Sequence, residues 1–171
     1  MSPPFEVWHN FFMLVGTAAA TLIGAMFVVV SIGLGFLTQD RSASIHAFLT
    51  STVTHLSTAL LGALLSVVPE LDWSWFGATV GVIGLGGAGY SAYLALGFHQ
   101  HPNTVPSDWW WYAIVPLVGY LLLLAVAATA LAQMTISVGL FAAALALMLL
   151  AGIRNAWDMI LFLVTRNRAS G

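Results

Sequence analysis

Residues 44–66 read SIHAFLTSTVTHLSTALLGALLS, an apolar segment with polar side chains along its first half. At about 100° per residue, as in an α-helix, these polar side chains cover roughly one half of the circumference. Polar side chains in a membrane helix avoid lipid, so we expect this polar stripe to face protein, water or a ligand, and its helix to be central. The stripe consists of His46, Thr50, Ser51, Thr54, His55, Ser57 and Thr58, with Ser44 at its beginning.

The composition is that of an integral membrane protein. The 171 residues are 60% hydrophobic and 6% charged, and the mean hydropathy is +0.97, whereas a soluble domain carries about 25% charged residues. The formal net charge is −2, and no basic cluster is present to bind the phosphates of a nucleic acid. Because the chain lacks cysteine, disulfides and cysteine-ligated metal sites are excluded.

Five stretches reach the length of about 20 apolar residues that a helix needs to cross a bilayer. We therefore predict an all-α fold, one domain formed by an integral bundle of five transmembrane helices. The shortest connection, near residues 133–135, contains neither Pro nor Gly. If it were not a turn, the chain would have four spans. The predicted spans are residues 11–37, 45–68, 75–98, 111–132 and 137–165.

The positive charges predict the orientation of the chain. Arg41 follows the first span, while Arg166 and Arg168 follow the fifth. With five spans these arginines lie on one side of the membrane, and positively charged short loops are typical of the cytoplasmic side. We therefore expect the N-terminus outside and the C-terminus inside.

Two spans carry small residues at helical spacing. Such residues let membrane helices approach each other closely, so we interpret them as packing positions. They are Gly16, Ala20 and Gly24 in the first span and Gly77, Gly81 and Gly84 in the third.

The last span contains charged residues below the predicted membrane surface. Arg154 and Asp158 are four residues apart and can pair on one helical face, and Asn155 offers further hydrogen bonds. A charge inside the membrane costs at least about 2.5–3.5 kcal/mol unless it is compensated. Two interpretations stay open: a structural pair that holds the last helix against the polar stripe, or a charged gate.

The histidines are candidate ligands for a metal ion or haem. His46, His99 and His101 are expected on the same side of the membrane, but a divalent metal needs three or four close ligands, so they are only a weak candidate metal site. Haem held by two histidines would need a second histidine at the depth of His55 on a facing helix, and the sequence offers none there. We predict no metal and no cofactor.

Four segments resemble a family of small bacterial inner-membrane proteins that has no assigned activity. These segments are WHNFFMLVGTAAATLIGAMFVVVSI, HAFLTSTVTHL, SDWWWYAIVPLVGY and IRNAWD. Some distant relatives in that group look like sequences labelled as modulators of a membrane protease. The resemblance implies a multi-pass protein of the bacterial inner membrane and transfers no catalytic residues.

The sequence favours two functional hypotheses. An enzyme comes third, because the second, third and fifth spans could supply only His, Asp and Arg to a cleft, and we predict none. The first is a homo-oligomer in the lipid bilayer that passes small ions or protons along the polar stripe, with Arg154 and Asp158 as a charged gate. The second is an accessory or scaffold subunit whose small-residue and polar faces bind another membrane protein.

Overall fold

The computed structural model describes residues 3–33, 42–99, 110–134 and 138–167, which form helices and turns and no strand. Five helices in this part of the chain are long and apolar enough to cross a membrane, which confirms the predicted all-helical membrane architecture. The helices are α1 (Pro3–Glu6), α2 (His9–Gly33), α3 (Ser42–Ser66), α4 (Trp73–His99), α5 (Val115–Leu131) with a π-helical turn (Trp110–Ile114) before it, and α6 (Val138–Asn167).

The helices pack side by side, with α3 and α6 innermost. α4 packs mainly against α5, α5 packs against α6, α6 packs against α3, and α3 packs against α2. Half of the membrane-spanning window of α3 and of α6 is buried, compared with 17% for α2 and 22% for α4. The helix of the polar stripe therefore shares the central position with α6.

A cluster of aromatic rings closes one end of the bundle, which we call the aromatic end. α1 brings Phe5 into the core, where only 4% of its surface is exposed. Its ring centroid lies 5.7–6.2 Å from those of four other aromatic side chains, a separation typical of favourable ring pairs. The four are Phe12, Trp73, Phe76 and Phe141.

Small residues on α4 face α5. A Cβ atom added to Gly77 would lie 3.2 Å from the Ala127 carbonyl oxygen, and one added to Gly81 would lie 3.5 Å from the Ala127 Cβ. At Gly84 it would lie 2.9 Å from a Leu124 methyl carbon. Glycine therefore permits the close packing of these two helices.

The small residues of α2 have different surroundings. A Cβ atom at Gly16 would lie 3.2 Å from the Ala63 Cβ on α3, so Gly16 lies in the contact between these helices. Ala20 is exposed, and a Cβ atom at Gly24 would meet nothing within 4 Å. The second half of the predicted packing pattern thus lies on the outer surface of a single chain.

Helix α5 ends at a residue that the sequence did not mark as a helix stop. Gln133 has φ 54°, the left-handed conformation usually taken by glycine. Its N–H donates to the Ala130 carbonyl at 3.1 Å, and the Met134 N–H donates to the Thr129 carbonyl at 3.0 Å. These two bonds form a Schellman motif, which ends the helix without Gly or Pro.

Pro116 explains the π-helical turn before α5. Proline has no N–H, so the carbonyl of Tyr112, four residues earlier, lacks its α-helical donor. Wider π turns occur where the regular ladder is interrupted. The turn buries Tyr112 and Ala113 and directs Tyr112 toward α6.

Candidate functional site: a hydrogen-bonded chain around His55

His55 lies in the middle of the bundle and is 0% exposed. At about 1.5 Å per residue, it is about 20 Å from the first residue of α3 and about 16 Å from the last. A titratable ring at this depth must be hydrogen-bonded, because an unpartnered buried polar group is costly.

Both ring nitrogens of His55 have partners. Nε2 lies 3.1 Å from the Ser51 hydroxyl, and Nδ1 lies 3.0 Å from the Tyr120 hydroxyl. The Tyr120 hydroxyl lies 3.3 Å from that of Thr58, and the Asn155 amide nitrogen lies 3.4 Å from the Ser51 hydroxyl. We call these residues, Asn155, Ser51, His55, Tyr120 and Thr58, the buried polar chain.

Counting donors fixes the direction of every hydrogen bond in this chain. The Thr58 hydroxyl donates to the Thr54 carbonyl at 2.9 Å, so Tyr120 must donate to Thr58. Tyr120 then has no hydrogen left, and His55 Nδ1–H donates to it. A neutral imidazole has one donor and one acceptor, so Nε2 accepts from Ser51.

Ser51 joins Asn155 to His55. Because its hydrogen goes to His55, its oxygen accepts from the Asn155 amide, and Tyr90 on α4 lies near the same serine. Three helices, α3, α5 and α6, are therefore joined by this network. All O–H and N–H groups of the chain point from Asn155 toward Thr58.

The local sequence explains how the chain assembles. Ser51, His55 and Thr58 follow the i, i+4, i+7 spacing that places side chains on one helical face. Gly87 provides the space for Tyr120, because a Cβ atom there would overlap the tyrosine ring. The close packing of α4 on α5 thus holds the ring beside His55.

Two buried polar atoms have no hydrogen-bond partner among the described residues near this region: Asn155 Oδ1 and Ser91 Oγ. Both residues are 0% exposed. Buried polar groups are nearly always hydrogen-bonded in proteins. The amide oxygen of Asn155 is therefore a buried hydrogen-bond acceptor that has no partner among the described residues.

The charged residues of α6 form a second polar group, which defines the ion-pair end of the bundle. Arg154 NH1 lies 2.9 Å from Asp158 Oδ1, and the Tyr112 hydroxyl donates to Asp158 Oδ2 at 3.0 Å. The side chains of Arg154 and Asp158 are 38% and 22% exposed. Asn155 directly follows Arg154, so α6 connects the ion pair with the buried polar chain.

The structure divides the predicted stripe. Ser51, His55 and Thr58 are buried, whereas Thr50 is exposed, and Thr54 and Ser57 are half-buried. The Thr54 hydroxyl donates to the carbonyl of Thr50 at 2.6 Å, a bond within its own helix. One edge of the stripe, rather than its centre, faces the bundle interior.

The candidate metal ligands give no site in the described part of the chain. The side chains of His46 and His99 and the whole of His101 lie outside the described residues. Within the residues that the structure describes, no three His, Asp or Glu side chains lie close enough together to bind a metal ion.

Sequence reasoning missed Tyr120, Tyr90 and Tyr112. Tyr120 stands in the apolar run VPLVGYLLLLAV, and a phenol in such a run is a signal because its hydroxyl needs a partner when buried. That signal could have identified Tyr120 as polar. It could not have identified His55 as the partner.

The bundle is apolar between Thr58 and the aromatic end. The narrow gap there leaves no room for a water molecule. Thr58 marks one side of it, and the other lining residues are Gly62, Leu65, Val80, Ile83, Leu123, Phe141 and Leu145. The buried polar chain therefore reaches only part of the way through the protein.

Comparison with known proteins finds no matching family model, no similar curated protein and no similar solved structure. The chemical capability of the buried polar chain is therefore inferred from its own geometry. Hydroxyl and imidazole groups in hydrogen-bond contact can pass protons.

Proposed function

We propose that this protein is a proton permeation pathway of the bacterial inner membrane, with His55 as its central relay. The observation that carries the proposal is the continuous hydrogen bonding from Asn155 through Ser51 and His55 to Tyr120 and Thr58. Ser51, His55, Tyr120 and Thr58 each accept one hydrogen bond and donate another, as proton transfer requires. A hydrated ion would need a wide polar passage. The described residues around the buried polar chain pack too tightly to provide one.

The pathway is closed in this conformation. The apolar gap beyond Thr58 is too narrow for a water molecule, and the aromatic rings pack behind it. Proton passage therefore requires water to enter the gap. At the other end, the contact of Tyr112 and Arg154 with Asp158 supports the proposal that this pair is a charged gate.

We further propose the orientation and assembly of the protein. Arg41, Arg166 and Arg168 support a cytoplasmic ion-pair end by the positive-inside rule, with the N-terminus outside. Polar side chains on a lipid-facing surface are unfavourable. The exposed Thr50 and the half-buried Thr54 therefore support a homo-oligomer in which this edge of α3 contacts a neighbouring chain.

Proton flux into vesicles tests the function. The purified protein is reconstituted in liposomes with an internal pH dye, and a potassium gradient with valinomycin drives protons. We expect flux above that of empty liposomes, and at least an order of magnitude less with His55→Gln. His9→Gln is the matched control, because this histidine lies outside the polar chain. Equal flux in the parent and His55→Gln would contradict the proposal.

A second candidate function is that of an accessory subunit of a larger membrane complex. It is favoured by the outer face of α2, where Ala20 and Gly24 leave room for a close helix contact of the kind that small residues support. The buried edge of the stripe does not support it, because Ser51 and His55 are hydrogen-bonded within the chain. A native mass spectrum separates the candidates: a stoichiometric foreign subunit favours the accessory function, and a homo-oligomer favours the pathway.

A further inference from the structure

We propose that Asn155 turns its carboxamide after a proton has passed, so that its amide oxygen accepts the Ser51 hydrogen once the hydrogen bonds of the buried polar chain have reversed. The inference rests on the proposed proton pathway and assigns a positioning role to a residue that sequence analysis interpreted as part of the charged group. The supporting observation is the unpartnered amide oxygen of Asn155, in a side chain that is 0% exposed and hydrogen-bonded to Ser51 through its nitrogen.

Passage of one proton reverses every hydrogen bond in the chain. An incoming proton binds Ser51 Oγ, and Ser51 passes its own hydrogen to His55 Nε2. His55 then gives up its Nδ1 hydrogen to Tyr120, Tyr120 passes its hydrogen to Thr58, and Thr58 releases a proton on the far side. One proton enters and one leaves, and His55 changes from the Nδ1–H to the Nε2–H tautomer.

The reversed chain conflicts with the present orientation of Asn155. The Ser51 hydrogen now points at the Asn155 amide, whose N–H groups also point at Ser51. Two donors facing each other cannot form a hydrogen bond. Turning the carboxamide by about 180° presents Oδ1 as an acceptor.

The turn is inexpensive because little is lost by it. Oδ1 gives up no hydrogen bond to a described residue, and the bond from Nδ2 to Ser51 is long, at 3.4 Å. Among the described residues, Tyr90 on α4 is a titratable group close to Ser51. Tyr120 on α5 contacts the far ring nitrogen, and Arg154 and Asp158 on α6 pair with each other.

The test compares Asn155→Leu with Asn155→Asp in the liposome flux assay. Leucine has no hydrogen-bonding group, so Ser51 loses its acceptor in the reversed chain, and we expect a loss of about tenfold or more in proton flux. Aspartate keeps an acceptor oxygen, and we expect flux within about threefold of the parent. Ser91→Ala is the matched control, because it removes another buried, unpartnered polar atom outside the chain and should leave flux unchanged.

Nitrogen-15 NMR of labelled histidine shows whether the chain is assembled in each variant. Asn155→Leu should keep the Nδ1–H signal of His55, identified by its loss in His55→Gln. If leucine prevents folding, Asn155→Met, which also lacks a strong donor or acceptor, takes its place. Parental flux in Asn155→Leu, or equal losses in the leucine and aspartate variants, would overturn the role of Asn155. Parental flux in His55→Gln would instead overturn the proton pathway itself.

Discussion

The two halves of α3 show how one helix serves two purposes. Its first half holds Ser51 and His55 in hydrogen bonds with two other helices, and its second half packs Gly62 and Ala63 among apolar side chains. Hydrogen bonds require defined partners and directions, whereas apolar packing requires only shape and volume. In the proposed proton pathway, the polar half would carry the proton and the apolar half would close the passage.

The largest expected effect comes from the apolar half. Leu145 is fully buried beside Gly62 and the apolar gap, so Leu145→Ala should lower the free energy of unfolding by about 2–5 kcal/mol. The same cavity should admit water beyond Thr58 and raise proton flux. Unfolding in detergent and liposome flux measure the two effects. Leu150→Ala, at a 53% exposed position, is the control, and unchanged flux in Leu145→Ala would show that the gap is not the closed part of the pathway.

The second-largest expected effect concerns the packing of the Tyr120 ring against α4. Gly87→Ala adds a methyl group that overlaps the Tyr120 ring, and such overpacking costs about 1–3 kcal/mol. We expect a lower free energy of unfolding and loss of the His55 Nδ1–H signal. Gly86→Ala is a close control, because its Cβ would meet nothing within 4 Å. Equal stability of the two variants would contradict the role of Gly87.

A change within the polar half should act mainly on hydrogen positions. Tyr120→Phe removes the acceptor of His55 Nδ1–H, so the ring should change to the Nε2–H tautomer and donate to Ser51, at a cost of about 1 kcal/mol. Nitrogen-15 NMR detects this change directly. Tyr93→Phe, at a 73% exposed position, should leave the signal as it is. An unchanged tautomer in Tyr120→Phe would refute the hydrogen-bond directions derived above.

The smallest expected effect is at the ion-pair end. Tyr112→Phe removes one hydrogen bond to Asp158, which should lower the free energy of unfolding by about 1 kcal/mol because the carboxylate is partly exposed. If this contact is a gate, flux should rise while the His55 tautomer stays unchanged. A fall in flux would assign Tyr112 to the relay instead of the gate.

The helices of this protein could be predicted from sequence because each is a long apolar run, and bilayer thickness sets the required length. The stripe on α3 was visible for a similar reason, since its spacing is a property of one helix. The division of the stripe into a buried edge with His55 and an outer edge with Thr50 was not visible. It depends on where α5 and α6 pack, and apolar sequences carry little information about neighbours.

Local irregularities were the other limit. Gln133 adopts a left-handed conformation that its residue type does not indicate, because the surrounding hydrogen bonds, rather than an intrinsic preference, hold it there. Tyr120 could be recognised as an unusual residue in its span, but its partner lies 65 positions away in the chain. Contacts of this kind follow from the tertiary arrangement.

The π-helical turn before α5 also changes the rotational position, about the helix axis, of the residues that precede it. A π turn closes its ring with one residue more than an α turn, so the five residues Trp110–Ile114 contain one extra position relative to a regular helix. Deleting one of them would restore regular winding and rotate everything before it by about 100° around the helix axis. Together with Pro116, the length of this turn therefore sets the direction in which Trp110 and Trp111 face.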